Sequence, residues 1–297
     1  MFARQSGSGS SSMLFTSHRR RKVCSVLVVT TLALVSGARS GGAEPQDSSE
    51  EAGRARRLEK MRLSAAQFKI FRPGDRAHPL EFVETPVMRW TNPENRALDG
   101  TIFLWTAGGR PQVVLGLFTY DDDHYSHEWQ SLADGPLTAR RGDVVEWAPA
   151  EAGVRFAPVK GAEAPGPGTA ARLRQMKALA PKFSSTFVGF TENQQPQELR
   201  LLPQPLYRYE TGEGREVFDG ALFAFVQGTD PQTILALEAR IDGTTAGWYF
   251  AFVRMASGAL TGRFEGQEVY SVPKYDFQNR DPRKPYLLLS QQPAPDK

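Results

Sequence analysis

The chain carries a single cysteine, Cys24, among its 297 residues. Cys24 opens an apolar run near the N-terminus, too early for a lipid-attachment site, and nothing after it can form a disulfide, act as a thiol nucleophile or ligate metal through sulfur. Histidine is also scarce. Only His78, His124 and His127 lie beyond the first 43 residues. Acidic residues are missing from 1–43, which holds Arg4, Arg19, Arg20, Arg21, Lys22 and Arg39. The formal charge of +3 belongs to that segment, because the remainder has 30 basic against 33 acidic residues. The pattern argues against nucleic acid as a partner. No nucleophile elbow, His-Glu-x-x-His pair or glycine-punctuated calcium loop occurs, so no catalytic residue is assigned.

What is present begins with a leader. His18-Arg19-Arg20-Arg21-Lys22 reads as a positive n-region. Val23 to Val35 is a 13-residue apolar run, too short for an ordinary membrane span but suited to a signal peptide. Small residues follow, and cleavage is expected near Ala38 or Ala43. Residues 1–12 do not resemble an n-region, so Met13 competes with Met1 as the start, and the twin arginines leave both Sec and Tat export open. Membrane contact is expected only through an uncleaved leader. The rest is expected in the periplasm, the cell envelope or outside the cell.

Beyond the leader, two stretches share one pattern. Leu58, Met61, Ala65 and Phe68 recur at helical spacing and match Leu173, Met176, Ala180 and Phe183 at an offset of 115. Strand-like segments follow at 80–90, 101–106, 112–120, 128–132 and 143–147. Pro86, Arg89 and Trp90 match Pro205, Arg208 and Tyr209 at an offset of 119. Asp99-Gly100, Phe103, Trp105, Pro111, Leu115 and Leu117 match Asp219-Gly220, Phe223, Phe225, Pro231, Leu235 and Leu237 at an offset of 120. Ordered matches of this kind indicate a tandem duplication. The expected fold is α+β: per copy, one helix and four to five antiparallel strands, as a cystatin-like meander or a small barrel or half-sandwich. The expected organisation is a leader over 1–43, a disordered stretch over 44–57, copy one over 58–149, a linker over 150–172, copy two over 173–290 and a tail over 291–297. The two copies are expected to pack on each other.

Comparing the copies separates two kinds of candidate. The loop Asp121-Asp122-Asp123-His124-Tyr125-Ser126-His127-Glu128 concentrates oxygen and imidazole ligands, and copy two lacks it. Asp121, Asp122, Asp123, His124, His127 and Glu128 are the candidate ligands for a divalent cation; the competing reading is a solvated hairpin end, with no cofactor. Beside the loop, Phe118 and Tyr120 become Glu238 and Arg240 in copy two. By contrast, Arg89 with Asp99 and Arg208 with Asp219 recur in both copies, which favours structural ion pairs. The alternative is an anion or ligand site built from Arg89, Arg208, Phe118 and Tyr120.

The signature Pro86-x-x-Arg89-Trp90, Asp99-Gly100-Thr-Ile-Phe103-Leu-Trp105 and Pro111-x-Val-Val-Leu, with its partners in copy two, resembles secreted proteins of planctomycete-type bacteria. The resemblance implies export and carries no activity. The leading expectation is a non-catalytic binding or envelope-associated module pair. The alternatives are a metal-dependent hydrolase using the acidic loop and a carrier holding a lipid or small ligand between helix and sheet.

Overall fold

A computed structural model describes residues 44–93, 96–190, 195–212 and 216–293. The leader and its cleavage sites lie outside the described residues. Eighteen strands and two α-helices are described, and every pairing between strands is antiparallel. The chain is thus mostly β, and this overturns the expected α+β class. A cystatin-like module would have its one helix cover the strands. A small second sheet provides most of that cover instead.

In the N-terminal half the order is α1 (Glu44–Ala66), β1 (Phe68–Phe71), β2 (Glu81–Asn92), β3 (Ala97–Ala107), β4 (Arg110–Thr119), β5 (His124–Ser131), β6 (Thr138–Arg141), β7 (Val144–Trp147) and β8 (Ala157–Pro158). The C-terminal half runs α2 (Thr169–Leu179), a 3₁₀ turn (Ala180–Lys182), β9 (Phe183–Val188), β10 (Gln197–Glu198), β11 (Arg200–Leu201), β12 (Tyr207–Glu210), β13 (Val217–Gln227), β14 (Asp230–Asp242), β15 (Thr245–Arg254), β16 (Ala259–Phe264), β17 (Gln267–Val272) and β18 (Tyr286–Pro293). Helix α1 covers all of 44–57, the stretch expected to be disordered. Phe68 and Phe183 begin strands, not final helical turns. The segment read as a linker is also structured. It contains β8 and the start of α2, and Gly166 N–H donates to the Gln175 side chain at 2.8 Å. The expected tail contains the end of β18.

Each half builds one large and one small sheet. The N-terminal sheets are β18-β5-β4-β3-β2 and β1-β6-β7. The C-terminal sheets are β11-β13-β14-β15-β8, with β12 also on β13, and β10-β9-β16-β17. Residue alternation sorts the central strands into three cores. Phe103, Trp105, Leu115, Leu117 and Trp129 point to the side of Met61, Phe68 and Trp147. Phe223, Phe225, Leu235 and Leu237 do the same beside Met176 and Phe183. The intervening residues Ile102, Leu104 and Val114 meet Leu222, Ile234, Ala236 and Val253 in a third core shared by the halves. Both faces of the central strands are therefore buried, which accounts for their near-continuous apolar sequence.

The last strand of each half joins the other half's sheet. β8 follows β7 in the chain but pairs with β15, Ala157 opposite Phe250. β18 follows β17 but pairs with β5, Leu287 opposite Trp129. Val159 N–H donates to Trp248 O at 2.8 Å, so Val159 holds beside Trp248 the place that Leu287 holds beside Trp129.

The Asp-Gly pairs have a local physical reason. A Cβ at Gly100 would stand 2.2 Å from the Trp90 ring, and one at Gly220 would stand 2.4 Å from the Tyr209 ring. Only glycine lets these aromatics lie across the neighbouring strand. The preceding aspartates, both fully buried, receive arginines. Arg89 donates to Asp99 from Nε at 2.8 Å and from Nη2 at 2.5 Å. Arg208 donates to Asp219 from Nε at 3.3 Å and from Nη2 at 2.8 Å. A second arginine comes from each helix: Arg57 to Asp99 at 3.3 Å and Arg172 to Asp219 at 2.6 Å. Even the side bonds recur, with Arg89 donating to Arg54 O at 2.5 Å and Arg208 to Thr169 O at 2.8 Å.

Candidate functional site

The acidic loop does not converge. Asp121 turns back on its own loop, accepting the backbone N–H groups of Asp123 at 2.8 Å and His124 at 2.7 Å, and its carboxyl is held below the usual carboxylate range by those bonds. His124 Nδ1 lies 3.2 Å from the other Asp121 oxygen. Asp122 faces α1, where Arg57 donates to its carboxylate at 3.2 Å and Lys60 to its carbonyl at 2.8 Å. Asp123 is exposed. His127 and Glu128 are adjacent on β5 and point to opposite faces. His127 enters the N-terminal core beside Phe68, 3.0 Å from the Ser64 hydroxyl, and burial with the nearby charge of Arg141 lowers it to about 3. Glu128 enters the interface between the halves. Among the described residues, no group of three His, Cys, Asp or Glu is placed to hold a metal ion.

Arg89 and Arg208 are committed to Asp99 and Asp219 and do not converge on a common anion. Phe118 and Tyr120 pack beside Trp90, with Phe118 5.7 Å from Trp90 and 5.8 Å from Tyr120 between ring centres. The carrier reading placed its ligand between helix and sheet. In the N-terminal half that space is filled by Met61, Ala65, Trp105, Trp129 and Trp147, none of them exposed to solvent.

A cleft of about 630 Å³ is lined by residues of β8, β15, β17 and the start of β18. Its apolar wall comes from Phe250, Phe252, Tyr270, Tyr275 and Tyr286, and its cations are Arg155, Arg254 and Lys284. Among the described residues no carboxylate lines it, although Lys284 lies 3.4 Å from the Glu151 carboxylate just outside. Arg254 ends β15, is 8% exposed, and lies 4.5 Å above the Tyr286 ring. Its Nε donates to Ala256 O at 2.7 Å and its Nη2 to the carbonyls of Ser257 at 2.9 Å and Gly258 at 3.2 Å. Its bonds go to carbonyls, whereas Arg57, Arg89, Arg110, Arg172, Arg208 and Arg240 each meet a carboxylate. Glu128, which feels the Arg254 charge, accepts instead from the Tyr286 hydroxyl at 2.5 Å. Burial and the charge of Asp230 push Glu128 up to about 7, so near neutral pH Arg254 faces an acid that is only partly ionised.

The sequence contained one signal for this site, an arginine at the end of the apolar run Trp248–Val253. Tyr286 gave none, because its place beside β5 depends on a pairing more than 150 residues away in sequence. Comparison with family models, curated proteins and solved structures returns no match.

Proposed function

We propose that the chain is an exported, non-catalytic binding protein built from two diverged copies, and that the cleft between the exchanged strands binds a small anionic ligand with an apolar or ring-shaped body. The observation that carries this reading is Arg254, a buried guanidinium that lines the cleft and bonds to carbonyls where the other buried arginines bond to carboxylates. A buried charge is costly unless a counter-charge meets it, and an anionic group in the cleft would supply one. The aromatic wall offers apolar contact, and the volume lies in the range of small-molecule sites. The leader and the resemblance to secreted planctomycete-type proteins support export. No described helix is long and apolar enough to cross a membrane.

The test is a thermal-shift screen of the chain from Glu44, which forms one compact unit. Aromatic carboxylates and sugar phosphates are compared with their neutral analogues. An anionic ligand at 100 times its Kd should stabilise by about 2.7 kcal/mol, and Lys284→Gln combined with Arg155→Gln, both at exposed positions, should weaken binding at least fivefold. Equal response to charged and neutral analogues would sink the reading.

A further inference from the structure

Each half frames a space between its large and its small sheet. In the N-terminal half, Trp147 on β7 stands opposite Ala139 and stacks on Trp129 of β5, with ring centres 5.3 Å apart. In the C-terminal half, Tyr270 on β17 stands opposite Gly262 and stacks on Phe252 of β15 at 5.4 Å. The ladders make these positions equivalent. Ile70 pairs with Ala139 where Ser185 pairs with Gly262, and Leu115 pairs with Trp129 where Leu235 pairs with Phe252. The stacked rings thus set the same spacing in both frames.

What runs through the two frames differs. In the N-terminal half the backbone of Pro282 to Tyr286 threads it and bonds to both sides. Trp147 Nε1 donates to Lys284 O at 2.9 Å, Ala148 N–H to Pro282 O at 2.8 Å and Ala150 N–H to Arg283 O at 2.9 Å. On the opposite side Ser131 N–H donates to Pro285 O at 2.9 Å, and Tyr286 pairs with Gln130. In the C-terminal half β8 pairs with β15 only at Tyr249 and Phe250. The residues leading into β8 are drawn off to the N-terminal half, where Gly153 N–H donates to Ala133 O at 2.9 Å and a Cβ on Gly153 would stand 2.0 Å from Ser131 O. Among the described residues no backbone hydrogen bond joins 152–156 to β17. Because β17 is an edge strand, its outward backbone groups have no strand beside them, and Ser271 there holds the place of Ala148. The cleft of about 630 Å³ is this unthreaded frame, with Ala251, Phe252 and Arg254 on one side and Tyr270, Ser271 and Val272 on the other. The Tyr270 hydroxyl is acted on by burial first and by the Arg254 charge second, and makes no hydrogen bond like that of Trp147 among the described residues.

We infer that the cleft takes an extended peptide segment with an acidic side chain, laid between the edges of β15 and β17 as Pro282 to Tyr286 is laid between β5 and β7. This names the ligand class for the cleft described above, and it rests on that reading for the charge, since the acidic side chain is what meets Arg254. An added strand gains main-chain hydrogen bonds from an exposed edge, and its alternate side chains enter pockets. The Tyr270 hydroxyl donates to a peptide carbonyl, as the Trp147 indole does to Lys284 O, and the Ser271 N–H donates to another. An apolar side chain lies against Phe250 and Phe252. Extended backbone is the occupant because extended backbone of this same chain fills the equivalent frame. A compact ring or sugar would leave the edge groups of β17 without partners.

The experiment is calorimetric titration of the chain from Glu44 with acetylated, amidated pentapeptides of alanine that carry one glutamate and one phenylalanine in each possible arrangement. Three comparisons accompany them: the same peptides with glutamine for glutamate, the same peptides methylated on alternate amide nitrogens, and 3-phenylpropionate, an anion without a peptide backbone. At least one arrangement should bind with a Kd below about 1 mM. Methylation should weaken it at least tenfold in one of the two alternations, and glutamine at least fivefold. Tyr270→Phe keeps the ring on Phe252, so it should weaken the peptide at least threefold while the affinity for 3-phenylpropionate and the thermal midpoint stay unchanged. No binding by any arrangement, equal binding of both methylated series, or a Tyr270→Phe protein that binds the peptide as wild type does would each overturn the inference. If 3-phenylpropionate still binds in those cases, the anionic reading of the cleft survives without the peptide. Equal binding of glutamate and glutamine peptides, with methylation still harmful, would overturn the acidic side chain and the anionic reading together and support the added strand alone.

Discussion

His127 shows how a residue can mislead when read alone. It looks like a metal ligand in a run of acids, yet its ring is enclosed by Ser64 on α1, Phe68 on β1 and the Arg141 cation on β6. Burial first, and Arg141 second, hold it neutral, with its titration lowered from 6.5 to about 3. The unfolded chain takes up the proton more readily. Stability from His127 is therefore complete above pH 6.5 and is lost as pH falls from 6.5 toward 3. Glu128 acts in the opposite sense. Its titration is raised from 4.5 to about 7, so its contribution is complete below 4.5 and is lost as pH rises toward 7. The two oppose each other between 4.5 and 6.5, and below 4.5 only His127 changes. At about 1.4 kcal/mol per unit, the His127 effect amounts to a few kcal/mol by pH 3.5. Urea unfolding of wild type and His127→Gln at pH 7 and pH 3.5 measures it, and the variant should lose distinctly less stability on acidification. The arginine–aspartate pairs were legible in the sequence because they recur. Arg57 and Arg172 were not, although they recur too, because helical arginines on a polar face look solvated until the buried acid beneath them is located.

The long strands were also legible. β3, β4 and β5 lie where the apolar runs lie, with a hairpin at Gly108 and Gly109, whose φ values of 55° and 83° require the left-handed region. The short elements were hidden. β1, β6 and β8 are four residues or fewer, and their sequences lack the length that makes alternation visible. The fold class was missed for this reason, since β1, β6 and β7 form the small sheet that closes the N-terminal core. The sequence pattern divides β18 between copy two and a tail, whereas Tyr286, Leu287 and Leu288 are buried against the other half. At about 1.5–3 kcal/mol for each large apolar side chain, its loss costs several kcal/mol. A chain ending at Pro285 should melt at least 10 °C below the full chain, at about 2–4 °C per kcal/mol for a domain of this size. A melting point within 3 °C of wild type would show that β18 contributes little.

On the scale of the molecule, the exchange of β8 and β18 adds to the shared core of Ile102, Leu104, Leu222 and Ile234. Neither large sheet is completed by its own half of the chain. Residues 44–149 lack both β8 and β18, and leave the edge of β5 and one face of β3 and β4 open to water. Such an edge invites aggregation. Expressed alone, 44–149 should be insoluble. Produced together with 150–297, it should be recovered as a one-to-one complex with the circular dichroism of the intact chain, since the interface and β18 are supplied by the partner fragment. Soluble, cooperatively melting 44–149 would contradict this.

The position of β18 also sets an order of events. It is the last described element, and it closes the sheet that runs from β2 to β5. Strands β2 to β5 leave the ribosome well before β18, and their sheet is complete only when β18 has arrived. The N-terminal half must wait with its sheet edge uncovered for the whole of the intervening synthesis. Any helper that guards nascent chains would find its target there, and its hold would end when β18 comes through.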